Sequence, residues 1–235
     1  VGTKALAAVG STGTIGFLIL GFLMGLTAGF TVLTSQRFGA GDMPGMRKTV
    51  GSAAVLSVIV SVVMTVISMA FMKPLLILMN TPEDIFQDAY KYIMIICAGI
   101  FTQVMYNLLA GILRALGNSK TPLYFLLFSA VLNIVLDLAL VYGIRMGIKG
   151  AAIATVISQI VSGIGICIYT WMKMPELRFS LRPERIKESQ SVMGEVVRYS
   201  AASSIQQSVM NFGILMIQGL VNSFGTAVMA AFAAA

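Results

Sequence analysis

Long apolar runs with few or no charges dominate this sequence and restrict what the chain can fold into. Residues 123–142 and 153–169 form two such runs. Each is long enough to cross the hydrocarbon core of a bilayer, about 30 Å thick, as a helix. A membrane β-barrel is the weaker alternative, because its strands alternate apolar and polar residues in segments of about 10. The sequence therefore predicts an all-α fold, a bundle of helices that crosses the membrane several times.

Composition agrees with a polytopic membrane protein. Of the 235 residues, 57% are hydrophobic and only 11% are charged, a balance that soluble domains do not show. Charged residues, Gly and Pro separate the apolar segments from one another. These separators predict six visible spans, at residues 12–36, 49–71, 89–113, 122–142, 151–172 and 198–221.

Basic residues are distributed unequally between the two ends of these spans. If the spans alternate in direction, 11 of the 16 Lys and Arg residues lie on one side of the membrane. The positive-inside rule then places the loops near Arg47, Lys120 and Arg182 in the cytoplasm of a multi-pass protein of the cell inner (plasma) membrane. Membrane lipids are expected partners. The net charge of +7 needs no nucleic-acid partner, and no obligate protein partner is indicated.

The two ends of the chain resemble each other. Residues 1–9 align with residues 224–232 and share Gly-Thr and Ala-Ala in register. Internal duplication is common in transporter folds, so we interpret the match as the start of a second repeat, with chance similarity as the alternative. We therefore expect a partial chain of a longer protein. Six spans between the matched segments would give two parallel repeats, with a substrate site near the midplane.

Asp137 is the only acidic residue inside a long apolar run, and Asn133 precedes it by four residues. A charge at bilayer depth costs at least ~2.5 kcal/mol and usually faces a bundle interior or a wet cavity. Residues at i and i+4 share a helical face, and Thr155 lies just inside the next helix, which follows after a short connection. The three side chains are hard oxygen ligands suited to a cation. A buried hydrogen-bonded pair between helices is the structural alternative.

Several motifs resemble those of the multidrug and toxic compound extrusion (MATE) transporters. They are Gly2-Thr3 with Ala7-Ala8, residues 37–42, residues 111–122, Asn133 with Asp137, and residues 147–155. The resemblance implies the second through seventh helices of a twelve-helix transporter of two bundles. Residues 1–172 would then form most of the N-terminal bundle, 173–197 a cytoplasmic amphipathic linker, and 198–235 the first helix and start of the C-terminal bundle.

The resemblance also implies a function. MATE transporters are secondary active multidrug exporters that exchange amphipathic, often cationic compounds for H⁺ or Na⁺ by alternating access. In the family, a cation site combines an acid of the first helix with an Asn and an Asp of the fifth and a Thr of the sixth. Asn133, Asp137 and Thr155 match the last three, so we expect the proton or Na⁺ to bind there. No cofactor other than this coupling ion is expected.

Some MATE subfamilies place a functional acid in the seventh helix instead. Here no acid follows Glu195, and the large polar residues of that segment are Gln206, Gln207, Asn211 and Gln218. The sequence therefore favours the site in the N-terminal bundle.

Other functions remain open at this point. A flippase of lipid-linked oligosaccharides would need a more cationic cavity, and an intramembrane hydrolase would need a second acid from outside this sequence. The sequence has no His, only two Cys and no phosphate-binding loop, which excludes the common zinc sites and an intrinsic ATPase. We expect a transporter and not an enzyme.

Two further patterns bear on packing and the cavity. Gln103 and Asn107 lie one helical turn apart and are candidate substrate contacts, with hydrogen bonds between helices as an equal alternative. Gly21, Gly25 and Gly29 follow at four-residue spacing. This spacing predicts a close approach of two helices.

Overall fold

The computed structural model describes residues 3–177 and 189–223, which form helices and turns without any β-strand. The fold class predicted from the sequence is confirmed. The principal helices are α1 (Thr3–Gly39), α2 (Met43–Leu78), α3 (Glu83–Ala98), α4 (Ile100–Ala115), α5 (Lys120–Asp137), α6 (Ile148–Lys173) and α7 (Met193–Ser223). A π-helical turn, Leu138–Gly143, follows α5, and a 3₁₀ turn, Pro175–Leu177, follows α6.

All six predicted spans fall within these helices. Among the described residues, α1, α2, α6 and α5 with its π-helical turn are each long and apolar enough to cross a membrane. Helices α3 and α4 together are also long and apolar enough, and they add a fifth crossing if the bent pair forms one span. Helix α7, which contains the predicted span 198–221, has 31 residues but is more polar and does not meet the same criterion. The predicted linker at 173–197 and the predicted second repeat at 224–232 lie partly or wholly outside the described residues.

The third predicted span, residues 89–113, is not the single straight helix that we expected. It belongs to α3 and α4, whose axes differ by 44° across a break at Gly99. There the amide of Gly99 donates to the carbonyl of Ile96 at 3.0 Å, a tight three-residue step. A Cβ atom at Gly99 would lie 2.9 Å from a methyl group of Val156, so glycine lets α6 pack against the bend.

Helix α2 is longer at both ends than the predicted span 49–71. It begins at Met43 because Asp42 caps it: Oδ1 of Asp42 accepts a hydrogen bond from the amide of Gly45 at 2.9 Å. At the other end, the helix continues through Pro74 to Leu78. The sequence-based bounds were wrong for one reason at each end. The charged residues in the first turn of α2 and the proline near its end were both interpreted as lying outside the helix.

Turns between the helices define two ends of the bundle. We call the end that contains the α1–α2 turn, the α4–α5 turn and the start of α7 the basic face, and the other end the opposite face. Helices α5 and α6 pack side by side as the predicted antiparallel pair, and Arg145 and Gly147 adopt positive φ in the connection between them.

Helices α1 and α7 form a long contact in which backbone lies against backbone. A Cβ atom at Gly25 would lie 2.7 Å from the Cα of Ser204, and one at Gly29 would overlap the Cα of Ser200. Further along, Gly21 faces the side-chain amide of Asn211. The close helix approach predicted from the glycine spacing is present, with α7 as its partner.

We expect Gly29→Ala to destabilise the protein by about 1 to 3 kcal/mol, because its Cβ would overlap the α7 backbone, which cannot move without separating the helices. The matched control is Gly13→Ala in the same helix, where no described atom outside the helix's own backbone lies within 4 Å of the added Cβ. The free energy of unfolding of the full-length protein, measured by denaturant titration in detergent, checks this. Equal stability of the two variants would contradict the tight contact.

Candidate cation-coupling site

The antiparallel pairing of α5 and α6 brings two of the three predicted ligands into contact. Nδ2 of Asn133 donates to Oγ1 of Thr155 at 3.4 Å. The Thr155 hydroxyl in turn donates to the carbonyl oxygen of Ala151, one turn earlier in α6, at 3.0 Å. The pair thus connects the two helices and fixes the direction of the threonine hydroxyl.

Asp137 is the last residue of α5 and lies one helical turn beyond Asn133. Its carboxylate oxygen Oδ1 is buried and accepts no hydrogen bond from any residue in the described part of the chain. Leaving a buried acceptor unpaired costs about 1 to 3 kcal/mol, and more when the group is charged. A cation or a proton bound to this oxygen would remove that cost.

Tyr92 on α3 interacts electrostatically with Asp137. Its ring packs against a small apolar cluster near the opposite face, which contains Ala8, Ala89 and Ile148. This cluster joins α1, α3 and the start of α6, so the Asp137 carboxylate lies within electrostatic range of the point where these helices meet. Sequence reasoning missed Tyr92 because a single tyrosine in an apolar helix carries no distinctive spacing.

The backbone changes its geometry immediately after Asp137. In the π-helical turn, the amide of Ile144 donates to the carbonyl of Ala139, five residues earlier, at 2.9 Å. Wider turns of this kind inside helices are frequent at functional sites. The turn places Asp137 at a junction between two helical geometries rather than in the middle of a regular helix.

Gln103, one of the two predicted cavity residues, contacts α6. Nε2 of Gln159 donates to its Oε1 at 3.0 Å. Gln159 follows Thr155 by one helical turn on α6, so this pair extends the line of polar groups that begins at Asn133. Asn107 is half-buried and has no hydrogen-bond partner among residues 3–177 and 189–223. The arrangement matches the alternative of hydrogen bonding between helices for Gln103, and sequence reasoning did not identify Gln159.

Helix α7 holds a separate polar pair. Nε2 of Gln207 donates to Oδ1 of Asn211 at 3.0 Å, and Asn211 is almost fully buried against α1. This pair contains no carboxylate. It therefore lacks the group that could exchange a proton.

The donor set at Asp137 suits a hard monovalent cation or a proton. One carboxylate, one amide and one hydroxyl supply oxygen atoms, the ligands that hard cations prefer. Within the described ranges 3–177 and 189–223, no cluster of three or more His, Cys, Asp or Glu side chains could hold a metal ion.

Comparison with known proteins gives consistent similarities. The family model described as MatE matches residues 1–139. The chain is 33% identical to the probable multidrug resistance protein YpnP of Bacillus subtilis, over all of this chain and 52% of that protein. It is 27% identical to the probable multidrug resistance protein NorM of Thermotoga maritima, over 93% of this chain and 47% of that protein.

Solved structures show the same similarity. An outward-facing multidrug resistance MATE family transporter of the MOP superfamily matches with a TM-score of 0.82 and 26% identity, covering all of this chain and 52% of that one. An inward-facing structure of such a transporter matches with a TM-score of 0.78 and 26% identity, over 98% of this chain and 52% of that one. The chain spans about half the length of each of these relatives and structures. Since the family model covers more than half of its residues, the chain belongs to the MATE family.

Proposed function

We propose that the full-length protein is a secondary active multidrug transporter, which exports amphipathic cationic compounds in exchange for H⁺ or Na⁺ by alternating access. The observation that carries the proposal is the buried Oδ1 of Asp137, which has no hydrogen-bond partner among residues 3–177 and 189–223 and lies one helical turn from the Asn133–Thr155 contact. Family membership supports a transporter rather than an enzyme. The intramembrane hydrolase therefore loses its support.

Coupling between ion binding and conformational change would follow from the free-energy cost of the unpaired carboxylate oxygen. Without a bound cation, Asp137 keeps a buried acceptor oxygen unpaired. A proton would neutralise this group, and Na⁺ would pair with it while drawing on the oxygen atoms of Asn133 and Thr155. Either event changes the interactions among α3, α5 and α6 at one point. An ion can shift a conformational equilibrium only if it binds the two states with different affinity, and this junction of helices could supply the difference.

The proposed architecture places α1 to α6 in the N-terminal bundle and α7 at the start of the C-terminal bundle. Parallel repeats of this kind lie around an axis along the membrane normal and hold the substrate near the midplane. If the excess of Lys and Arg sets the orientation, the basic face faces the cytoplasm and Asp137 lies in the half of the membrane towards the opposite face. An ion that enters from outside the cell would then reach Asp137 before it reaches the cytoplasmic half of the bundle.

We expect Asp137→Asn to abolish the efflux of a fluorescent cationic dye driven by an imposed Na⁺ or proton gradient, because an amide cannot take up a proton or balance a cation. The measurement uses membrane vesicles that carry the full-length protein. Asp88→Asn is the matched control, since Asp88 is an exposed acid on α3. Gradient-driven efflux that survives in Asp137→Asn would contradict coupling through this site, and the absence of efflux in the parent protein would contradict multidrug export.

We expect Thr155→Val to slow gradient-driven efflux about fivefold, because one hydrogen-bonding oxygen at the site is worth about 1 kcal/mol. Thr155→Ser, which keeps the hydroxyl, should retain most of the rate. The control is Thr170→Val in the same helix, where the hydroxyl donates only to the carbonyl of Ile166. If Thr155→Val and Thr170→Val give the same initial efflux rates, Thr155 does not contribute to the ion site.

A further inference from the structure

Arg37, at the end of α1 on the basic face, forms ion pairs with carboxylates of two other segments. Its Nη2 donates to Oε2 of Glu195, in the first turn of α7, at 2.7 Å. Its Nη1 lies 3.8 Å from Oδ2 of Asp42, the residue that caps α2. Only 20% of the Arg37 side chain is exposed, against half or more of each carboxylate. One mostly buried guanidinium thus connects α1, α2 and α7.

The local backbone is shaped to hold this group. A Cβ atom at Gly45 would overlap Oδ2 of Asp42 and lie 2.6 Å from Nη1 of Arg37. The other carboxylate oxygen of Asp42 is held by the amide of Gly45. Glycine at this position therefore lets the ion pair lie directly on the first turn of α2.

Two further contacts fasten the start of α7 at the same face. The hydroxyl of Ser52 on α2 donates to the backbone carbonyl of Ser189, just before α7. Val196, next to Glu195, is completely buried in an apolar cluster with Phe30 and Met46. The Arg37–Glu195 pair thus covers a closed, packed end of the α1–α7 interface.

We propose that Arg37, with Asp42 and Glu195, is a latch that holds the basic face closed between the two bundles of the transporter. The inference rests on the proposed function, in which α7 belongs to the second bundle and the bundles rock against each other. The pair joins the two bundles at one edge of the Gly25–Ser204 and Gly29–Ser200 contacts. For the basic face to open, α7 must leave α1, and the Arg37–Glu195 pair must break first.

With this latch, the small residues of α1 and the ion pair at its end have different roles. The small residues in the membrane allow close packing, but they carry no charge that could favour one state over another. The ion pair adds a polar contact that exists only while the basic face is closed. Its carboxylates are partly exposed, so water can solvate the charges after separation. This makes the contact weak enough to break in each cycle.

The test measures access to position 200 in the full-length protein in lipid nanodiscs. Ser200 is 1% exposed, and in the closed state it packs against Gly29. A membrane-impermeant maleimide is added to Ser200→Cys, and mass spectrometry follows labelling at that position. The labelling rate is measured without substrate and without an ion gradient. A failed latch and a failed coupling site at Asp137 are therefore distinguishable.

We expect Arg37→Gln and Glu195→Gln each to speed labelling about fivefold, as for the loss of one partly exposed ion pair. The double variant should be labelled no faster than either single variant, because all three lose the same contact. Arg198→Gln, which removes an exposed cation from the same turn of α7, should leave the rate unchanged. Unchanged labelling in either single variant, or effects that multiply in the double variant, would overturn the latch.

Discussion

Inside the hydrocarbon core no water is available, so polar groups must find partners within the protein, and this requirement organises the structure. The backbone meets it through helices. The hydroxyls of Thr34, Thr49 and Thr170 meet it by donating to carbonyls of their own helices. Five buried side-chain polar atoms do not meet it among the described residues, and Oδ1 of Asp137 is the one carboxylate oxygen among these five. The same rule that explains why the helices form therefore identifies the carboxylate that needs an ion.

Much of the fold could be predicted because it depends on properties that are local in sequence. Continuous apolar runs predict membrane helices, and the small residues of α1 predict a tight contact. The bend at Gly99 and the length of α2 could not be predicted, since they depend on neighbours. Val156 packs into the space that Gly99 leaves, and Pro74 is tolerated late in a long helix. Glycine and proline in a sequence indicate where a helix can bend or end, but they do not show whether it does so.

The candidate site shows the same division. Asn133 and Asp137 share a helical face by spacing alone, and Thr155 follows after a short connection, so their proximity was open to prediction. Tyr92 was not, because it lies on α3 and comes within electrostatic range of Asp137 only through helix packing. Gln159 follows Thr155 by one turn of α6, but its partner Gln103 lies on α4, so that contact depends on how the two helices pack. The latch likewise joins Arg37 to Glu195 across 158 positions of sequence. Such distant ion pairs carry no local pattern.

Coupled transport as proposed requires Asp137 to be the group that takes up the coupling ion. Infrared difference spectroscopy of the full-length protein, recorded on addition of Na⁺ and on a change of pH, tests this directly. We expect one of these changes to alter a carboxyl band that is present in the parent protein and in Asp88→Asn but absent in Asp137→Asn. Identical difference spectra for the parent and Asp137→Asn would show that the ion binds elsewhere, and would contradict the account.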